Sequence, residues 1–127
     1  MIYVKETDGP IESVVERLEQ ASIANQFGVL GVHNLKEKMG AKGVDFACEC
    51  RVMEVCNPHK AKEVLEENMS ISTALPCRIS IYEEDGKIKV ATIRPTMLLN
   101  LFDSPELQAV AREVEDTLIR IIDTACS

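Results

Sequence analysis

Two cysteines in this sequence stand beside prolines at places where a regular element is expected to begin or end. Cys56 is followed by Asn57 and Pro58, and Cys77 directly follows Pro76. A thiol at such an edge acts as a nucleophile or metal ligand when it is ionised. It serves equally well as a small buried packing residue. Both interpretations stay open, because the residues alone do not decide between them.

The chemistry expected at Cys56 depends on the helix predicted to start just after it. Asn57 is a good N-cap and Pro58 a good first helical residue, so free backbone N–H groups and the positive end of the helix dipole lie close to the thiol. Such a position favours the thiolate, and His59 in the first turn would add a proton acceptor. In the structural interpretation, Cys56 packs against Ala61 as a hydrophobic staple.

The remaining cysteines and the histidines form no recognised metal or catalytic pattern. Cys48 and Cys50 lie on one face of a predicted strand, where core packing is favoured because a Cys-x-x-Cys pair is absent. Cys126 is interpreted as incidental, and His33 and His59 are isolated. A hydrolase or other classical enzyme would need an acid–base constellation that is not recognisable here. Whether the protein is an enzyme is therefore left open.

Composition and charge restrict the class of protein. The length of 127 residues predicts a single domain over residues 1–127, and 46% hydrophobic residues are typical of a globular chain. The net charge of −7 argues against a nucleic-acid partner. No signal peptide and no apolar run of about 18 residues is recognisable, so we expect no membrane partner and a cytoplasmic location. The five cysteines are then expected to be reduced.

The elements that position the cysteines follow from hydrophobic periodicity and turn signals. The predicted fold is α+β, with one mostly antiparallel sheet of about five strands and helices packed on one face, in the order βα-β-(short α)-βα-ββ-α. Strands are predicted over residues 2–7, 27–33, 46–55, 77–83 and 87–94. Helices are predicted over residues 10–25, 35–39 and 58–69 and from 104 onward.

Local signals add detail to this prediction. Gly28 and Gly31 indicate a bulge or a close neighbour in the second strand, and Val52–Met53 indicates a bulge in the third. Asp85–Gly86 predicts a two-residue hairpin turn, and Ser104 is the expected N-cap of the last helix. In the third strand, alternate residues are expected to share one face, namely Phe46, Cys48, Cys50 and Val52.

One apolar segment has no place in the predicted strands and helices. Met97, Leu98, Leu99, Leu101 and Phe102 follow the proline that ends the last strand. We expect this segment both to cover the core and to contribute to a subunit contact.

Several segments that extend over nearly the whole chain form a recognisable set, namely residues 27–30, 35–40, 56–58 with Ala61, 75–77, Tyr82 and 95–97. Taken together, these segments resemble the family catalogued as domain of unknown function 302. The resemblance implies a compact α+β domain, usually a homodimer, without an agreed biochemical activity. The family pattern includes both cysteines, and it tends to have glycine where Glu54 stands and asparagine where Arg78 stands.

Two hypotheses about function follow. In the first, a homodimeric domain has a thiol-based or small-ligand site built from Cys56, Asn57 and Cys77, with Cys56 as the thiolate and Cys77 as its partner or a second ligand. Sulfur transfer, redox sensing and soft-metal binding all suit such a pair, while the cofactor stays unknown. In the second, the chain is a structural or protein-interaction module whose cysteines pack in the core.

Overall fold

The structure, a computed structural model that describes residues 1–127, contains five strands, five α-helices and a 3-10 helix. The strands are β1 (Ile2–Thr7), β2 (Gly28–Asn34), β3 (Cys50–Cys56), β4 (Cys77–Glu84) and β5 (Lys87–Ile93). The α-helices are α1 (Ile11–Ala24), α2 (Leu35–Gly40), α3 (Pro58–Glu67), α4 (Pro95–Leu99) and α5 (Leu107–Cys126). The 3-10 helix is Met69–Ala74. The predicted class and element order are confirmed, with α4 and the 3-10 helix as additions.

All five strands form one sheet in the order β1-β5-β4-β3-β2, and every neighbouring pair is antiparallel. The main core lies between this sheet and the helices α1 and α5, as predicted for helices on one face. No helix of the structure is both long and apolar enough to cross a membrane. The fully buried members of the main core are Val14, Leu18, Met53, Val55, Ile79, Ile81, Val90, Leu118, Ile121 and Ile122.

A second, smaller core joins α3, the 3-10 helix, α4 and α5. The apolar segment after β5 contributes to it, because Leu99 is buried there and Phe102 packs against it. This confirms that the segment covers the core. Met97 and Leu101 are exposed, and the predicted subunit contact stays a prediction. The buried members are Val64, Ile71, Leu99, Leu107, Val110 and Ala111.

The third strand differs from its prediction in its length and in which of its side chains face the core. It begins at Cys50, and its fully buried side chains are Met53 and Val55. Phe46 and Cys48 are exposed, so the predicted core packing of Cys48 is wrong. The reason is that residues 46–49 precede the strand, so their alternation does not carry into the sheet.

Only one of the two predicted bulges is present. The pairing of β2 with β3 shifts between Val29 and Gly31, which confirms the signal from the glycines. The pairing of β3 with β4 runs from Cys50 to Val55 without a shift, so the bulge at Val52–Met53 is wrong. The extra residue lies in β2, and the apparent slip arises because an apolar valine occupies the face opposite the buried Met53.

Local sequence signals predicted the hairpin turn correctly but not the cap of the last helix. Asp85 and Gly86 have φ of 54° and 75°, as a two-residue hairpin turn requires. The last helix begins at Leu107, and its N-cap Glu106 has no side-chain cap, so the predicted capping by Ser104 is wrong. The backbone carbonyl of Ser104 instead accepts a hydrogen bond from the N–H of Leu107 at 3.0 Å.

Candidate functional site

The junction of β3 and α3 is built by local interactions. Cys56 is the last residue of β3, and Asn57 is the N-cap of α3. The side-chain oxygen of Asn57 accepts hydrogen bonds from the N–H of His59 at 3.0 Å and from that of Lys60 at 3.2 Å. Pro58 follows in the first turn, where its missing N–H costs nothing. The predicted cap and helix start are therefore confirmed.

The ladder between β3 and β4 brings Cys77 beside Cys56. Cys77 opens β4, and its Cα partner across the ladder is Val55, the residue before Cys56. Adjacent strands lie about 4.8 Å apart, so one strand spacing separates the two backbone segments that carry the thiols. The Leu75–Pro76 peptide bond that precedes Cys77 is cis.

Both cysteines line one apolar cavity of about 50 Å³. Of its 16 lining residues 13 are hydrophobic, so a molecule inside would make mostly apolar contacts. A space of this size holds about three or four water-sized groups. The cavity is bounded by α3, by α4 with Leu98 and Leu99, and by α5 with Val110 and Val114. With Phe27 and the segment from Ala74 to Cys77, the site is thus assembled from five separate parts of the chain.

One face of α3 forms a wall of the cavity. Asn57, Lys60, Ala61 and Val64 all line it, and their i, i+3, i+4, i+7 spacing places them on the same side of the helix. The ammonium group of Lys60 binds the carboxylate of Glu113 on α5, and this hydrogen bond raises the pKa of Lys60. Sequence reasoning missed Lys60. Lys60 lies four residues before the apolar Val64, and this helical spacing would have indicated that the two share a face.

The two thiols of the cavity are protonated at neutral pH. Burial raises the pKa of Cys77 to about 11, and the nearby Cys56 adds to the shift while Arg78 only partly offsets it. Burial also raises the pKa of Cys56. The expectation of a thiolate at Cys56 is therefore wrong. The first-turn N–H groups are bound by Asn57, and loss of hydration opposes the charged form.

The other candidate residues lie outside the cavity. His59 is exposed and does not line it, so the proposed proton acceptor is not brought to the thiols. Cys48 is exposed. Cys126 packs against the main core, and burial raises its pKa. No group of three or more histidine, cysteine, aspartate or glutamate side chains is arranged to hold a metal ion. The chemistry of the site thus depends on two neutral thiols.

Comparison with known proteins relates almost the whole chain to one family. The model described as "Domain of unknown function DUF302" matches residues 3–125. Among curated proteins, no sequence is significantly similar. The crystal structure of uncharacterized conserved protein DUF302 from Bacillus stearothermophilus is 34% identical, with a TM-score of 0.93 over 99% of this chain and 98% of that chain. The resemblance inferred from the sequence is confirmed, and the chain belongs to the DUF302 family.

Proposed function

We propose that this domain binds a small, mostly apolar ligand in the cavity lined by Cys56 and Cys77. The observation that carries the proposal is the convergence of both thiols on one apolar cavity. Preformed apolar cavities with a few polar groups are the usual form of small-molecule sites. Sulfur atoms in the wall are soft and polarisable, which suits a ligand that itself contains sulfur or another polarisable group.

The protonation state of the thiols favours reversible binding over covalent chemistry. A thiolate is the nucleophile in sulfur transfer and thiol exchange, whereas burial raises the pKa of both Cys56 and Cys77. A soft metal ion would have to displace two protons and would find only these two thiols in the cavity. Reversible binding of a neutral or apolar group is therefore better supported than redox sensing, sulfur transfer or metal binding.

A titration with 1-pentanol tests the proposal, because about three or four of its carbon atoms fill the cavity while its hydroxyl end stays outside. Binding is followed by NMR for the parent protein and for Ala61→Leu, which adds three carbon atoms to the cavity wall. Ala109→Leu is the matched control, since Ala109 is exposed on α5 and does not line the cavity. We expect the parent and Ala109→Leu to bind equally and Ala61→Leu to lose binding. Equal affinity in the two leucine variants would overturn the proposal.

The uncovered face of the sheet favours self-association as a second role. Ile2, Val4 and Ile93 are 56%, 45% and 47% exposed, and Ile2 lies opposite Ile93 across the β1–β5 pair. Contiguous exposed apolar residues typically mark an interaction surface. Glu54 and Arg78 on the same face pair with each other at 3.7 Å, so this pair leaves no net charge to repel a second copy. We propose that two copies associate through this face, in line with the homodimer expected from the family resemblance.

A further inference from the structure

A polar cleft adjoins the thiol-lined cavity. It has a volume of about 140 Å³. Four residues, Phe27, Asn57, Lys60 and Val114, line both the cleft and the apolar cavity. The two spaces are therefore neighbours that share part of their lining, one apolar and one polar. A molecule with one polar end and one apolar end matches this arrangement.

The cleft carries one positive charge in excess. Its charged residues are Lys60, Glu113 and Arg120, and Lys60 is paired with Glu113. Arg120 donates from Nε to the side-chain oxygen of Asn25 at 3.2 Å and from Nη2 to the hydroxyl of Thr117 at 3.3 Å. A guanidinium has five N–H donors, so three remain. In a chain of net charge −7, a guanidinium bound only to neutral groups is open to an anion.

The backbone around the cleft does not oppose an anion. The cleft includes the end of α1, where free carbonyls would repel negative charge, but the carbonyls of Ala21 and Ser22 are already bound. The carbonyl of Ser22 accepts from the N–H of Asn25 and of Phe27, and that of Ala21 accepts from the side-chain amide of Asn25. At the start of α3, the side chain of Asn57 binds the N–H groups of His59 and Lys60, so this helix end neither opposes an anion nor offers it these two donors. Glu113 is the single negative group among the residues that line the cleft; Lys60 binds it and also lies 4.0 Å from the carboxylate of Glu63.

From this arrangement we infer that the ligand is a short-chain organic monoanion, such as a carboxylate. Its head binds Arg120 in the polar cleft, and its apolar tail enters the cavity beside Cys56 and Cys77. The inference rests on the proposed function, since it assigns a chemical class to the ligand of the same cavity. The cavity volume of about 50 Å³ limits the tail to about three or four carbon atoms.

Three probes of equal chain length test the charge of the head group. Pentanoate, 1-pentanol and pentylamine are titrated at neutral pH and low salt, with binding followed by NMR. We expect pentanoate to bind about fivefold more tightly than 1-pentanol, which corresponds to one partly exposed charge pair, and pentylamine to bind most weakly.

Two arginine variants show whether Arg120 causes the preference for pentanoate over 1-pentanol. Arg120→Gln is expected to weaken pentanoate about fivefold and to leave 1-pentanol unchanged. Arg112→Gln is the matched control, because Arg112 is exposed on the same helix and does not line the cleft. It is expected to change neither affinity.

The outcomes separate this inference from the proposed function. If 1-pentanol binds but pentanoate binds no more tightly, or if Arg120→Gln leaves the pentanoate affinity unchanged, the anionic head is wrong and the apolar ligand site stands. If the folded parent protein binds none of the three probes, the ligand site itself fails, and the inference fails with it.

Discussion

At Cys56 and Cys77, burial has a larger effect on the thiol pKa than the helix that starts beside them. A helix start lowers a cysteine pKa where its N–H groups are free to face the sulfur. Here the side chain of Asn57 binds those of His59 and Lys60. The cap was predictable, because it depends on adjacent residues. The burial of Cys56 was not, because it depends on side chains of α4 and α5 that are distant in the sequence.

The raised pKa of Cys77 predicts a pH-dependent stability. This pKa rises from its ordinary value of 9.0 to about 11 in the folded protein, so the folded chain keeps a proton that the unfolded chain loses. The free energy of unfolding therefore falls as pH rises from about 9 to about 11, by an amount on the order of 2 kcal/mol from this group. Below the ordinary pKa, the group adds no pH dependence.

Urea denaturation of the parent protein and of Cys77→Ala, from about pH 8 to about pH 11, measures this contribution. Tyr3 also has a raised pKa, about 12, because of its hydrogen bond to Asp123, so both proteins lose some stability at high pH. We expect the loss to be steeper in the parent. Parallel pH profiles would show that the thiol is not buried as described.

At the level of elements, signals between neighbouring residues predicted a turn and a helix cap correctly. The predicted facing of the side chains in β3 was wrong. The turn at Asp85–Gly86 and the cap at Asn57 were predicted because each needs only a few neighbouring residues. The start of β3 depends on pairing with other strands, which the sequence does not display. The helix α4 was missed because a distant group holds it: the carboxylate of Glu115 on α5 accepts from the N–H and hydroxyl of Thr96, at 3.2 Å and 2.6 Å.

The cap of α3 makes a testable contribution to stability. Asn57→Ala removes the acceptor for two backbone N–H groups, and we expect it to lower the free energy of unfolding by about 1 kcal/mol. Asn57→Ser keeps a capping hydroxyl and is expected to stay within a few tenths of the parent. Urea denaturation measures both. A serine variant as unstable as the alanine variant would indicate that Asn57 acts through the cavity wall and not as a cap.

At the level of the whole molecule, the fold class was predictable and the cavity was not. Periodicity predicted the α+β class and the element order, and the hairpin signal predicted that β4 and β5 pair. The pairing of β1 with β5 joins segments that are distant in the sequence, such as Ile2 with Ile93. The cavity is likewise lined by both Phe27 and Val114, and no local pattern indicates that these distant residues share a cavity. The cytoplasmic location stays a prediction.

Self-association is also a property of the whole molecule. Val4→Glu places a charge on the uncovered face of the sheet, and we expect it to shift a dimer to monomer in sedimentation equilibrium. Ile23→Glu is the matched control, because Ile23 is 66% exposed on α1, away from that face. A monomeric parent protein, or equal dissociation of the two variants, would rule out the uncovered face as the dimer contact.

The claim that Cys56 and Cys77 line one ligand cavity is tested most directly by site-resolved alkylation. The protein is treated with iodoacetamide with and without 1-pentanol at about ten times its dissociation constant, and each cysteine is followed by peptide mass spectrometry. We expect the ligand to slow the modification of Cys56 and Cys77 together by about tenfold, while the exposed Cys48 reacts at the same rate throughout. Protection of neither cavity cysteine, or of only one of them, would contradict a ligand site shared by the two thiols.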